Sequence, residues 1–387
     1  MASENTTSSR RVPFAIIGVG GIAQSQHLPN LLRVPQIDLQ VACDMQADRL
    51  RQVADKYSIP RRVGDAREVF ADPTIEGVIV ATRDDFQAPL TIAALNAGKH
   101  VYVEKPLATT PEQCEKVVDA QRRSGKHVAV GFNRRFAPAY LQAREVVTGN
   151  GGAHNIHYRI ADSYCRTWGA GSPPGQRILH EVCHIFDILR WFTGSEVDWI
   201  HCLRGRHDDE ICLLRFASGC IASITSSGYA TVDMPKEALE IISDYGGISV
   251  IDFVELRTFG QRAYQSVYSY PGHIHPDHEY IYRHMYAQLG APALYALRRT
   301  AWEIREGLAP AEPADRAVFE KHHRSHMPDS NYTGDKGWVQ AMAHFAKSVA
   351  AGTKPLNASP ADALAAAQLG QAAITSRETN QVVSIHP

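Results

Sequence analysis

Val12-Pro-Phe-Ala-Ile-Ile-Gly-Val-Gly-Gly-Ile-Ala23 is an apolar run that breaks into Gly18-x-Gly20-x-x-Ala23. Such a run predicts a strand, a glycine turn and a helix. Gly18 permits the tight turn, Gly20 lets backbone approach a pyrophosphate, and the small Ala23 lets the helix pack on the strand. Gly21 and Ile22 complete the loop, and the helix amino terminus offers free N–H groups to phosphate. A second apolar strand, Ile37 to Cys43, ends at Asp44, 24 positions after Gly20. That is near the offset of about 20 residues expected for an acid that accepts a hydrogen bond from a ribose hydroxyl. A carboxylate there repels a 2'-phosphate, and Met45 stands where Arg or Ser often serves the phosphorylated cofactor, so NAD is favoured over NADP. Arg49 reads as a solvated helix residue.

Working outward, short apolar runs alternate with helical patterns up to Asn133: Gly77 to Thr82, Ala88 to Ala97, His100 to Glu104, Pro111 to Ser124 and His127 to Gly131. This rhythm predicts a parallel, doubly wound α/β sheet. Thr110, Pro111 and Gln113 mark a capped helix start. Beyond Asn133 a helix from Pro138 to Thr148 leads into strands of alternating pattern: Ala153 to Ala161, Val197 to Leu203, Glu210 to Ala217, Cys220 to Ser226 and Ala238 to Asp252, the last broken at Gly246-Gly247. Short turns between them predict a mostly antiparallel α+β domain.

The expected organisation is a disordered stretch at residues 1–10, a nucleotide-binding domain at 11–133 and a substrate and oligomerisation domain at 134–387. Residues 268–335 form an insertion within the latter, read as a lid or intersubunit arm, and Trp338 to Arg377 form closing helices. Seven histidines in the insertion have no Cys or paired carboxylate at ligand spacing, so no metal is assigned. A length of 387 residues suits two cores. Forty basic against 41 acidic residues argues against nucleic-acid binding or a polybasic membrane anchor. No apolar segment approaches the length of a bilayer span. Seven unclustered cysteines point to buried thiols in a reducing cytoplasm.

Two constellations carry chemistry. Lys105, in Glu104-Lys105-Pro106, follows a strand whose carboxyl end borders the cofactor, where an ammonium stabilises a developing alkoxide. In Leu179 to Phe192, helical spacing puts His180, His184, Asp187 and Trp191 on one stripe. His184 has the chemistry to take a hydroxyl proton. His180 would contact substrate or relay the proton, and Asp187 would hold the His184 ring or touch substrate. Arg166 and Trp168, in the preceding loop, are candidate substrate contacts. His180-Glu-Val-Cys-His184 also matches the H-E-x-x-H zinc pattern, which keeps a zinc hydrolase as a minor alternative.

These residues resemble the glucose-fructose oxidoreductase, inositol dehydrogenase and rhizopine catabolism (Gfo/Idh/MocA) family, through GVGGIA, Ala97 to Pro106, Gly131 to Pro138, the His-x-x-Asp helix ending at Gly194, and Asp335-Lys-Gly337. The resemblance implies a Rossmann domain, an open-faced C-terminal sheet that often forms the oligomer interface, and substrate between the two. It implies that Lys105 matches the catalytic Lys and His184 the catalytic His. Glu104 and Asn133 would line the nicotinamide side, and Thr82 and Arg83 would border the cofactor. The family's usual Asp is His180 here, and a usual His is Gln87. The expectation is an NAD-dependent oxidoreductase of a sugar, sugar derivative or cyclitol, a homodimer or homotetramer. Alternatives are an NAD-retaining, transient-redox glycoside hydrolase or epimerase, and a non-catalytic NAD-binding regulator.

Overall fold

The computed structural model describes residues 10–167, 169–231, 234–270, 299 and 334–385. The chain divides into two compact units, residues 1–133 with 338–368, and 134–337 with 369–387.

In the first unit, β1 (Val12–Ile17), β2 (Ile37–Cys43), β3 (Arg61–Val63), β4 (Gly77–Val80), β5 (His100–Val103) and β6 (Val128–Val130) form one sheet in the order β3-β2-β1-β4-β5-β6. Every pairing is parallel. Runs such as Gly77-Val-Ile-Val80, buried at each position, are what a sheet covered on both faces requires. The order reverses between β1 and β4, and in such sheets ligands bind at the carboxyl ends of strands at that switch point. Helix α1 (Leu28–Leu31) is entered through a π-helical turn, Ala23–His27; α2 (Ala47–Lys56), α3 (Ala66–Ala71), α4 (Asp84–Asn96) and α5 (Pro111–Ser124) follow. The expected start of α5 holds: the Thr110 hydroxyl accepts from the Gln113 N–H at 3.4 Å, with Pro111 in the first turn.

The second unit holds α6 (Pro138–Gly149), β7 (Asn155–Ala161), α7 (Cys183–Thr193), β8 (Val197–Arg204), β9 (Glu210–Phe216), β10 (Ile221–Ser227), β11 (Glu237–Ser243), β12 (Gly246–Ile251), β13 (Glu255–Phe259) and β14 (Val267–Ser269). With β15 (Val383–Ser384) they form a nine-stranded sheet in the order β14-β13-β12-β11-β7-β10-β9-β8-β15. All its neighbours are antiparallel except β7 and β10. Strand β9 alternates strictly, burying Cys212, Leu214 and Phe216 while Ile211 and Leu213 face out. On the same open face Leu203, Ile221, Ile242 and Phe259 are also exposed. Strands β13 and β14 were not expected.

The last helices are α8 (Trp338–Ala351) and α9 (Pro360–Thr379). Residues 338–368 group with the first unit rather than with the rest of the C-terminal chain. Phe345 of α8 meets Phe14 of β1 at 6.3 Å and Tyr102 of β5 at 5.9 Å between ring centroids. The Ala358 carbonyl accepts from the Val130 N–H at 2.8 Å, so this segment completes the core beside β6. The expected N-terminal disorder and nearly all of the insertion, with its seven histidines, lie outside the described residues. Among the described residues no helix is long and apolar enough to cross a membrane.

Candidate functional site

Gly18 ends β1 with φ +88°, and a Cβ there would lie 2.5 Å from the Ala81 carbonyl oxygen and 2.9 Å from Thr82 Cγ2. Only glycine fits. The same closeness sets Thr82 beside the loop. At Gly20 and Gly21 a Cβ would meet nothing within 4 Å, so their backbone is open to a ligand. Ile22 is partly exposed at the entry to the π-helical turn.

Asp44 is buried at the end of β2 and accepts four hydrogen bonds. The Val19 N–H (3.0 Å) and Arg49 Nε (3.2 Å) reach Oδ2, and the Gln46 N–H (2.9 Å) and Arg49 Nη2 (2.7 Å) reach Oδ1. Burial raises its carboxyl, but the bonds from Arg49, Gln46 and Val19 take it below the usual range. Arg49 is therefore not a solvated helix residue: α2 begins just after Asp44 and its first turns carry the guanidinium back to the carboxylate. Four donors fill a carboxylate's acceptor sites, so a ribose hydroxyl must displace one, and the half-exposed guanidinium is the donor that solvent can take over. An Arg49→Ala protein is expected to bind NAD about two- to fivefold more tightly, the range of a partly exposed ion pair. Fluorescence titration measures this; weaker binding would mean that Arg49 touches the nucleotide.

Arg83 is exposed, pairs with Asp85 at 2.8 Å and lies over the Phe86 ring. Lys105 is half-buried just past the carboxyl end of β5. Glu104 is only 3% exposed. Gln87, the departure from the family pattern, is buried in α4, and its amide, oriented so that both ends are satisfied, donates to the main-chain carbonyls of Glu104 and Pro106. It thus braces the turn that carries Lys105. The glycine loop, Asp44 and Thr82 together fit a dinucleotide.

In the second unit the expected stripe is altered at its start. Ile178–Val182 is a π-helical turn, and regular α-helix begins only at Cys183. The His180 ring stands 3.0 Å from the Tyr164 hydroxyl and 2.9 Å from the Gln176 amide nitrogen. His184 is 3% exposed on α7. Asp187 is held by Arg135 through two contacts, at 2.9 and 2.5 Å. Arg135 sits on the short 3-10 turn Asn133–Phe136, which also carries the buried Asn133. Arg166 is exposed on a 3-10 turn, Tyr164–Arg166, and Trp168 lies outside the described residues.

Glu181 weighs against the zinc alternative. Its carboxylate lies 2.8 Å from Lys236 Nζ, which also pairs with Asp162 at 2.8 Å. Burial would lower the Lys236 ammonium, but Glu181 and Asp162 raise it, so the residue a zinc hydrolase would use as base is bound to a persistent cation. Among the described residues no three His, Cys, Asp or Glu side chains gather as a metal site. Arg135, Lys236 and Tyr164 carried no local sequence signal, since their partners are far along the chain.

The oxidoreductase family model described as an NAD-binding Rossmann fold matches residues 12–132. Inositol 2-dehydrogenase from Acidothermus cellulolyticus is 30% identical over 57% of this chain and 67% of its own length. The chain belongs to the Gfo/Idh/MocA oxidoreductase family. Inositol 2-dehydrogenase from Salmonella paratyphi B is also 30% identical, over 54% of this chain, and the match spans 63% of that relative's length. A solved levoglucosan dehydrogenase in complex with NADH shares the fold at a TM-score of 0.73 and 19% identity, covering 97% of this chain and 100% of that one. NAD is the cofactor of this Rossmann family.

Proposed function

We propose that this Gfo/Idh/MocA protein is an NAD-dependent oxidoreductase acting on a secondary alcohol of a sugar, sugar derivative or cyclitol, with Lys105 and His184 as its reacting pair. The observation that carries this is the placement of Lys105: half-buried, just past the carboxyl end of β5, in the unit that holds the glycine loop. The inositol and levoglucosan dehydrogenases it resembles support the substrate class.

Bound NAD supplies the hydride acceptor. Gly18, Gly20, Gly21 and Ile22 seat its phosphates, Asp44 takes the ribose, and Thr82, Arg83, Glu104 and Asn133 border it. His184 accepts the hydroxyl proton, and the Lys105 ammonium steadies the alkoxide as it forms. His180, set by Tyr164 and Gln176, contacts substrate or passes the proton on, and Arg166 and Trp168 reach the sugar from the preceding loop. Asp187 acts indirectly, fixing α7 through Arg135. The exposed face bearing Ile211, Leu213 and Ile221 joins copies into a homodimer or homotetramer, which sedimentation would measure. Seven free cysteines suit a cytoplasmic setting.

The test is NADH formation with a panel of sugars, anhydrosugars and inositols. Substrate-dependent NADH supports the proposal. Conversion without free NADH would replace it with a transient-redox reaction, and tight NAD binding with no conversion of any alcohol would replace it with a regulator.

A further inference from the structure

The first unit holds a buried pair in which one member, Glu104, borders the proposed cofactor site and the other, His27, has no part in the proposed mechanism. His27 is wholly buried, and its Nε2 lies 2.8 Å from Oε1 of Glu104, whose side chain is only 4% exposed. The other carboxylate oxygen, Oε2, accepts from the Lys105 N–H at 3.2 Å. A carboxylate this deep needs a partner of its own, because a lone buried charge is costly. Space for it exists because residue 131 is glycine: a Cβ there would come within 3.0 Å of Oε1. The His27 ring is fixed edge-on by Trp338 at 5.5 Å and Tyr102 at 6.0 Å between centroids; neither ring nitrogen makes a hydrogen bond of good geometry among the described residues, so Nε2 meets Oε1 as a close polar contact. His27 closes the π-helical turn that follows the glycine loop, and such turns concentrate at functional sites.

We infer that His27 is a positioning residue that, through Glu104, fixes Lys105 and links its setting to the phosphate-binding loop. The inference rests on the proposed role of Lys105. With His27 in place the Glu104 carboxylate is committed inward; without it, the carboxylate turns to the neighbouring Lys105 ammonium.

The test is the acylation rate of Lys105 by an N-hydroxysuccinimide ester, followed by peptide mass spectrometry on the full chain, with NAD affinity titrated in parallel. Glu104→Gln removes the carboxylate charge and should speed labelling at fixed pH about tenfold, the effect of one unit on the amine. His27→Leu should slow it by about as much, and the double variant should behave like Glu104→Gln. His27→Gln, whose amide can still reach Oε1, should stay within about threefold of wild type. A pair that merely supports the fold would lower stability and leave labelling unchanged. Rates within about threefold in both Glu104→Gln and His27→Leu, or shifts in one common direction, overturn the inference. If His27→Leu does not fold, His27→Asn, whose shorter amide falls short of Oε1, takes its place with the same expected slowing; labelling within about threefold of wild type in it and in Glu104→Gln overturns the inference. Wild-type turnover by Lys105→Ala would defeat the proposed mechanism instead and leave the labelling pattern standing.

Discussion

Lys105→Ala is expected to lower kcat/KM for the sugar alcohol by about 10²- to 10³-fold, the usual effect of losing one preorganised donor at a developing oxyanion. NAD affinity should stay close to wild type if, as proposed, the phosphates rest on backbone at Gly18 to Ile22 and the ribose on Asp44. Lys105→Arg should recover little, because a broad planar guanidinium does not replace a compact ammonium. His184→Ala should cost about 10²- to 10⁴-fold, the range for a positioned acid–base group. If the two residues serve one reaction step, the double variant should be scarcely worse than the poorer single one, as happens for residues that act as a unit. Stopped-flow measurement of NADH formation separates these cases. Full turnover in both single variants would remove the proposed chemistry.

The expectations that held were those in which one short segment carries the whole physical reason. Gly18 must adopt a positive φ against Ala81, so a tight turn was legible from Gly-x-Gly alone. The alternating residues of β9 announced a sheet with one open face. Wherever a side chain depends on a partner far along the chain, the sequence was silent. Asp187 meets Arg135 across 52 positions, and nothing near either residue announces the pair. Phe345 returns to Phe14 in the first core although the Ala-rich helix that bears it would suit either unit equally well. The π-helical turn at Ile178–Val182 breaks the 3.6-residue count on which the His180–His184 stripe relied. Arg49 was the near miss, since five residues separate it from Asp44 and only the start of α2 decides where its guanidinium goes.

Glu237→Ala should be the most damaging substitution for the fold. Glu237 is 1% exposed, and its carboxylate takes both Nε and Nη2 of Arg134 at 2.7 Å, Lys336 Nζ at 3.0 Å and the Tyr158 hydroxyl at 2.6 Å. Removing it takes from the buried Arg134 guanidinium its carboxylate and from Lys336 one of its partners, which costs about 3–5 kcal/mol. For a unit of this size that corresponds to a fall in Tm of about 10 °C. Replacing the buried pair together, as Glu237→Leu with Arg134→Met, should recover most of the loss, because the guanidinium is then not left buried without its carboxylate. Calorimetry on wild type, Glu237→Ala and the combined variant tests this. A double variant as unstable as Glu237→Ala would show that the carboxylate matters through Tyr158 or Lys336 instead. The same group sets an acid limit. Burial acts to raise its carboxyl, but Arg134 and Lys336 hold it well below the usual range in the folded chain. Its stabilisation is therefore complete above the unfolded-state value of about 4.3 and is lost as pH falls from there toward the folded value. Wild-type stability should decline steeply below about pH 5, and Glu237→Ala, with nothing left to protonate at this position, should show a shallower slope.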